Sequence, residues 1–534
     1  MSVLSISWSA TSAPKGPFRG VNMKQGSGYM TQLRTDEYGP TVQAILDAAR
    51  SRNVFVIARF QNHRDINITV ARGLLEQVQS TSFSGFAVQV FTEKGHMGFS
   101  SSNIISPENA VEQVRLAEEL ARAAEKLGGD AVTYRGMFSA RDTERVVPAQ
   151  QYAFDAVPID RMEQILKELN VKFGYDQRLS IRSSFGMFED DWRVVRSDGR
   201  DVSFRIPRAF VYNVISAADG NKTASGRASI SGSGLELLLD PAHNADLEAR
   251  TRQTGDLCIA LLGAPKVKGG HYKIVIDYAL AKGLAHEAFG HAAETDHMEE
   301  SILGQDGRFK AGETVAPSFV SIVDGPLEGD YAYQPISATG EVREQASIID
   351  HGVLRTALAD AFSADSAGVT PVGADRVESY LHIPCPRMSN IRLLIDNPLP
   401  IPGKNQGTAT VGSAEMSPEG LRQLLDQNGL RAPGETVLFL TGYKGGQVNP
   451  ALGDFVFNCT GIYKLDDSGV TLHQPAIFSG KVLSALKSIM AGIGPVHHDA
   501  MGTCGKRGQG VPSSGGSNAY IVIAANEAIT IGGE

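Results

Sequence analysis

The sequence predicts an α+β protein in two domains, on three observations. Its 534 residues exceed what one hydrophobic core ordinarily serves. Helical periodicity alternates with β-rich runs in the first half, whereas the second half is mostly β. A long helical segment near Ala245–Leu262 ends at Gly263 and Pro265, where a domain boundary is expected. The expected division is an extension over 1–37, an α+β domain over 38–264 and a β-rich domain over 265–534.

Taken in order, residues 1–37 are rich in Gly, Ser and polar side chains and read as an extension or a partner-binding arm. A short helix is expected over Thr41–Ser51, then β runs at Val54–Phe60, Asp65–Val70 and Gly85–Phe91. Ser106-Pro107-Glu108 has the form of a helix start: a capping hydroxyl, a first-turn proline and an acid at the positive dipole end. Val111, Val114, Ala117, Leu120, Ala121 and Ala124 carry helical spacing through Leu127. Another amphipathic helix is expected over Ile159–Leu169. Strand-like segments then run from Leu179 to Ser229, with turns at Ser197-Asp198-Gly199 and Asp219-Gly220. Past the boundary helix, a β run over Tyr272–Asp277 leads directly into a segment dense in His and Glu. Further β runs are expected at Phe319–Val323, Ile348–Leu354, Ile391–Ile395, Val437–Leu440, Phe455–Lys464 and Tyr520–Ala524. Helical interruptions are expected near Pro418–Asn428 and Gly480–Ala491.

Apolar and charged fractions of 42% and 20% suit a globular chain, and 57 glycines suit one with many turns and hairpins. A net charge of −9 argues against nucleic acid as the main partner, which needs clustered Lys and Arg. The four cysteines, Cys258, Cys385, Cys459 and Cys504, form no framework and favour a reducing compartment. Met1–Gly20 lacks a basic start and an apolar core, and no later run has the roughly 18 apolar residues of a membrane span. A cytoplasmic location, with no membrane partner, is the expectation.

The chemistry concentrates in Ala285–Glu294, AHEAFGHAAE, where two imidazoles and two carboxylates fall within nine residues. Such density points to a metal that activates water beside a carboxylate base. The usual zinc-protease helix places its histidines four apart, on one face. Here the pattern is HExxxH, with His286 and His291 five apart. In a regular helix that leaves them roughly 140° apart around the axis. A single π-type turn would bring them together, and Gly290 lowers its steric cost. An ordinary helix with a Glu287–His291 pair and a separate polar His286 fits the spacing equally well.

A catalytic zinc ordinarily takes three protein ligands and keeps one position open. Glu294 is close on the helix, and His297 is reachable if the helix ends at Asp296. Cys504, flanked by glycines and cations in Pro495–Gly508, has surroundings that favour a thiolate. On chemistry alone, Glu294 and Cys504 are equally good third donors.

The segment HEAFGHAAETD, His286–Asp296, resembles the metal-binding helix of the TldD/PmbA family, specifically its TldD-like metallopeptidases. Glu378–Asn390, ESYLHIPCPRMSN, is similar to a family segment of the ESYxHxPxPRMxN type. Gly445-Gly446-Gln447-Val448 with Phe455-Val456-Phe457 matches another. Cys504–Pro512, CGKRGQGVP, resembles the C-terminal CGKxGQxxP signature, and Ile66–Phe99 resembles the N-terminal domain. The resemblance spans roughly residues 40–530.

It implies a two-domain TldD/PmbA-like fold whose β-rich C-terminal domain carries the metal helix. It implies Zn2+ held by His286, His291 and Cys504, with Glu287 as the catalytic base. It further implies a peptide substrate handled inside an enclosed homodimer, or a heterodimer with a TldE/PmbA-like subunit. Retention of all four site residues marks the catalytic member. A modifying enzyme of peptide-derived natural products, or a scaffold with a structural zinc, are the alternatives. Glu294 then becomes a candidate to orient His291, although a plain surface or helix-end acid is the simpler expectation.

Other residues read as structural. His497 and His498 are expected to face solvent, Cys385 and Cys459 to pack, and Arg387 and Gln447 to support the fold. The glycine-rich Gly505–Gly516 stretch lacks phosphate-loop spacing. Trp8 and Trp192 carry no functional signal.

Overall fold

The computed structural model describes residues 32–134, 136–139, 142–402 and 416–532. Most of the extension expected over 1–37, Trp8 included, lies outside them. Residues 32–37 pack onto the fold: Leu33 and Thr35 are buried, and Arg34 Nε donates to Asp191 Oδ2 at 3.0 Å.

The α+β reading holds. The first half is built on a seven-stranded sheet whose long antiparallel centre comprises Phe55–Ala71, Leu74–Phe91, Leu179–Arg196 and Asp201–Asp219. Helix Pro107–Leu127 packs across Met97–Ser102 and is capped by Ser106, whose hydroxyl accepts from the Asn109 N–H. The two β runs expected over 54–70 form one unbroken strand. Its polar middle needs no turn, because the neighbouring strand supplies partners. His63 donates to Asp190 at 2.7 Å and Arg64 Nη2 to Glu189 at 2.7 Å.

The helix expected near Ala245–Leu262 spans Pro241–Leu261, with Asp240 at its cap accepting from the Ala242 N–H. The second half is organised by a 13-stranded mixed sheet. At its heart Gln509–Ile523 pairs parallel with Asn390–Ile395 and antiparallel with Lys273–Asp277, which in turn lies parallel to Val437–Asn449. Ile274, Val275 and Ile276 are fully buried, as a strand covered on both faces requires. Two expected elements are shorter than their sequence pattern. Ile348–Leu354 is a hairpin, bent at His351 and Gly352 where φ is 47° and 80°. The helix expected near 480–491 covers only Val482–Lys487, because strand residues flank it on both sides. Among the described residues no helix is long and apolar enough to cross a membrane.

Candidate metal centre

The central strand Lys273–Asp277 delivers the chain straight into the His/Glu segment. Asp277 caps the new helix, accepting from the Leu280 N–H at 2.9 Å. Its other oxygen accepts from the Gly442 N–H at 2.6 Å and the Thr441 hydroxyl at 3.1 Å. One half-buried carboxylate thus fixes the helix start against the neighbouring strand. The helix is α-helical over Tyr278–Gly283, π-helical over Leu284–Gly290 and 3-10 over His291–Ala293.

The wide turn resolves the five-residue spacing. The His291 N–H donates to the His286 carbonyl, the i→i+5 bond of a π turn, and the two imidazole centroids lie 5.2 Å apart at 89°. Leu284, Ala285, Ala288 and Phe289 are fully buried beneath them, so the helix cannot roll to another register. Gly290 faces Met388; a Cβ there would sit 1.8 Å from the thioether sulfur.

Cys504 arrives from strand Gly502–Lys506, which returns through a tight turn at Arg507-Gly508 with φ of 50° and 72°. Positive φ at both positions is the two-residue hairpin geometry. His286, His291 and Cys504 bring their ligand atoms within 4.8 Å of one another. Cys504 Sγ lies 3.6 Å from His291 Nε2, whereas His291 Nδ1 donates to Glu294 Oε2 at 3.1 Å. The Nδ1 atom of His286 is buried without a hydrogen-bond partner. An N,N,S donor set with an unsatisfied buried imidazole nitrogen fits a zinc ion and leaves one coordination position open.

The electrostatics agree with that fit. Burial, helped by the charges of Lys282 and His291, holds the His286 pKa well below its ordinary value, so the ring keeps its lone pair. Burial opposes charge on His291 too. There Glu294 and Cys504 outweigh it and raise the pKa well above normal. Burial likewise works against a Cys504 thiolate, but His291 and Arg387 overcome it and lower the thiol pKa. Arg387 is fully buried and donates to the Cys504 carbonyl, so its charge also serves this corner.

Glu294 is not the surface acid its sequence position suggests. It is fully buried between His291 and Lys506, whose ammonium lies 2.9 Å from Glu294 Oε2 and 2.6 Å from Asp296 Oδ1. Glu294, Asp296 and His297 form a second cluster of potential donors, but Lys506 already supplies the cation. His297 turns away, with Nε2 donating to the His291 carbonyl at 2.9 Å.

A cleft of about 620 Å³ opens onto His286 and Glu287. Burial raises the Glu287 pKa, tempered by the charges of His291 and Lys282. The cleft walls add residues that local sequence did not reveal: Lys282, Tyr443 and Tyr278, with Arg250 and Asp499 paired at 2.7 Å. His497 is also here. It is buried against Tyr278 at a ring separation of 4.8 Å, rather than facing solvent. Its place at the end of strand Ile489–His497 is set by long-range pairing, which a two-histidine stretch does not disclose. Cys385 and Cys459 are buried, as expected of packing residues.

Comparison with known proteins follows the same lines. Residues 269–513 match the model of the PmbA/TldA metallopeptidase C-terminal domain, and residues 56–128 that of PmbA/TldA metallopeptidase domain 1. A protein named metalloprotease from Methanothermobacter thermautotrophicus is 27% identical, over 91% of this chain and 97% of its own. A metalloprotease TldD homolog from Haemophilus influenzae is 24% identical, over 92% of this chain and 96% of its own. The crystal structure of TldE from Thermococcus kodakarensis shares the fold, with a TM-score of 0.65, 15% identity and coverage of 92% and 100%.

Proposed function

Because the chain belongs to the PmbA/TldD metallopeptidase family, we propose that it is a zinc-dependent peptidase acting on short or unfolded peptides. The observation that carries this reading is the meeting of His286, His291 and Cys504 donor atoms within 4.8 Å, beside a cleft lined by His286 and Glu287. His286, His291 and Cys504 would hold the zinc, which when bound would supply Lewis acidity toward a water and toward the peptide carbonyl. Glu287 takes a proton from the attacking water and returns it to the leaving amine, a task suited to its raised pKa. Glu294 fixes the tautomer of His291 by accepting its Nδ1 proton, which leaves Nε2 to face Cys504. Three donors rather than four among the described residues argue against a closed structural zinc site.

The strand edge at Thr441–Gly446 lies beyond the reach of Lys273–Asp277 and borders the cleft, which suits an extended peptide. A homodimer, or a heterodimer with a TldE/PmbA-like subunit, is part of the proposal. In its support, the strand segment Leu74–Phe83 is mostly exposed and carries Leu74, Val78 and Phe83.

The test is incubation of zinc-replete protein with unfolded peptides and mass spectrometry of the products. Chelated protein and Glu287→Gln serve as controls. Zinc-dependent cleavage lost in both controls is the expected result. Cleavage that persists in metal-free protein removes the mechanism.

A further inference from the structure

Two cations on the cleft wall differ in how they are satisfied. Arg250 is saturated: it pairs with Asp246 at 3.1 Å and Asp499 at 2.7 Å, and donates to the Tyr278 hydroxyl at 3.1 Å. Lys282 is not. Only 5% of its surface is exposed, and its ammonium donates to a single neutral acceptor, Ser513 Oγ, at 3.3 Å. Among the described residues no carboxylate lies within ion-pair distance of it. Glu287, Cys504 and Asp330 act on it only from further away, and burial lowers its pKa. A buried ammonium without a counter-ion is costly, and an apolar side chain of similar volume would fill the position without that cost.

Its position gives the charge a use. Lys282 precedes His286 by four residues, so the two share one helix face. A Cβ on Gly502 would lie 3.4 Å from Lys282 Nζ, and Gly502 is two residues before Cys504 on the same strand. Two strand residues span about 6.6 Å, which sets the ammonium about that far from Cys504 along the strand direction. An extended peptide covers the same distance in two residues.

We propose that Lys282 is a carboxylate-binding subsite, which selects peptides carrying a negative charge within about two residues of the bond to be cut. This deepens the peptidase reading and rests on it. The carboxylate has two sources, the peptide's own C-terminus or an Asp or Glu side chain.

Binding is measured by fluorescence anisotropy on zinc-loaded Glu287→Gln protein, with labelled hexapeptides as probes. One has a free C-terminus, one is C-terminally amidated, and an amidated Asp/Asn pair varies one internal position. Loss of the carboxylate is expected to weaken binding about 10-fold or more, as for a charge-assisted hydrogen bond. Adding Lys282→Met should abolish that difference while leaving zinc affinity and thermal midpoint undiminished. Discrimination erased by amidation assigns the C-terminus, and discrimination confined to the Asp/Asn pair assigns the side chain. Equal binding of all peptides, absence of binding, or discrimination that survives Lys282→Met overturns the inference. So does a Lys282→Met protein that loses stability and zinc together, because the lysine is then structural. Cleavage of the same peptides by the wild-type protein judges the peptidase reading separately. Discrimination without cleavage sinks that reading alone, and cleavage without discrimination sinks this one alone.

Discussion

The Nδ1–H of His291 donates to Glu294 Oε2 at 3.1 Å, and this bond decides which face of the imidazole Cys504 meets. Glu294 is itself held by the Lys506 ammonium at 2.9 Å, so the orientation is fixed from outside the donor trio. Replacing Glu294 by Gln keeps the shape and removes the charge that favours a donating Nδ1–H. Zinc affinity is expected to fall about 10- to 100-fold with the fold intact. Competition against a chelator of known affinity measures it, and an unchanged affinity assigns Glu294 to packing alone.

How much of this arrangement was legible beforehand depends on how local each cause is. The π turn was foreseeable from the five-residue spacing and Gly290, since both lie inside the segment that bends. Chemistry alone left Cys504 level with Glu294 as the third donor, and the family resemblance favoured Cys504; no local pattern relates residues 213 positions apart. The burial of Glu294 was hidden for the same reason, because the ammonium that makes it tolerable belongs to Lys506. The strand Phe55–Ala71 shows in the sequence as two β runs because its middle is polar, and the partners of that middle, Glu189 and Asp190, lie on another strand. Lys282 and Tyr278 show helical spacing that suits an ordinary core, and only tertiary packing turns them into a cleft wall.

Glu287 stands four residues before His291, in the cleft and outside the donor trio. Glu287→Gln should therefore bind zinc within a few-fold of the parent and lose about 10²- to 10⁴-fold in turnover, the range for general base catalysis. Metal content and peptide cleavage are read on the same sample. A variant that loses its zinc, or one that cleaves at the parental rate, removes the base assignment.

Metal uptake should release protons. In the metal-free protein, against the effect of burial, Glu294 and Cys504 raise the pKa of His291 well above normal while His291 and Arg387 lower that of Cys504, which favours a proton on the imidazole over one on the thiol. Zinc must displace the proton from His291 Nε2. About one proton per zinc is expected near pH 7, with affinity falling about 10-fold per pH unit on acidification. Calorimetry in buffers of different ionisation enthalpy measures the release. A heat that does not depend on the buffer contradicts that displacement.

Gly290 is required by a close approach rather than by its φ of −60°. A methyl there overlaps the sulfur of Met388, which is itself fully buried and has little room to move. Gly290→Ala should cost about 1–3 kcal/mol of stability, the usual range for overpacking. The same substitution should cost less in a Met388→Ala background, where the clash is gone. Denaturant titration of the four proteins gives the coupling, and additive effects would place the strain elsewhere.

The last expectation concerns pH and the first domain. His63 lies between two carboxylates, with Nδ1 2.7 Å from Asp190 and Nε2 3.0 Å from Asp65. Burial alone would lower its pKa, but the hydrogen bonds and charges of Asp190 and Asp65 outweigh it and raise the pKa above normal. Burial would raise the pKa of Asp190, yet His63 and Arg208 hold it below the usual carboxylate range. A raised histidine contributes stability that is complete below its unfolded pKa of about 6.5 and is lost as pH rises through the folded value. A depressed aspartate contributes stability present above about 3.9 and lost as pH falls through its own folded value. The cluster is therefore strongest between about pH 4 and 6.5, and each unit of histidine elevation is worth about 1.4 kcal/mol there. His63→Gln should lower the thermal midpoint most within that window and flatten the decline of stability above it. If wild type and variant keep the same slope from about pH 6 to 9, the imidazolium between the two strands carries none of that stability.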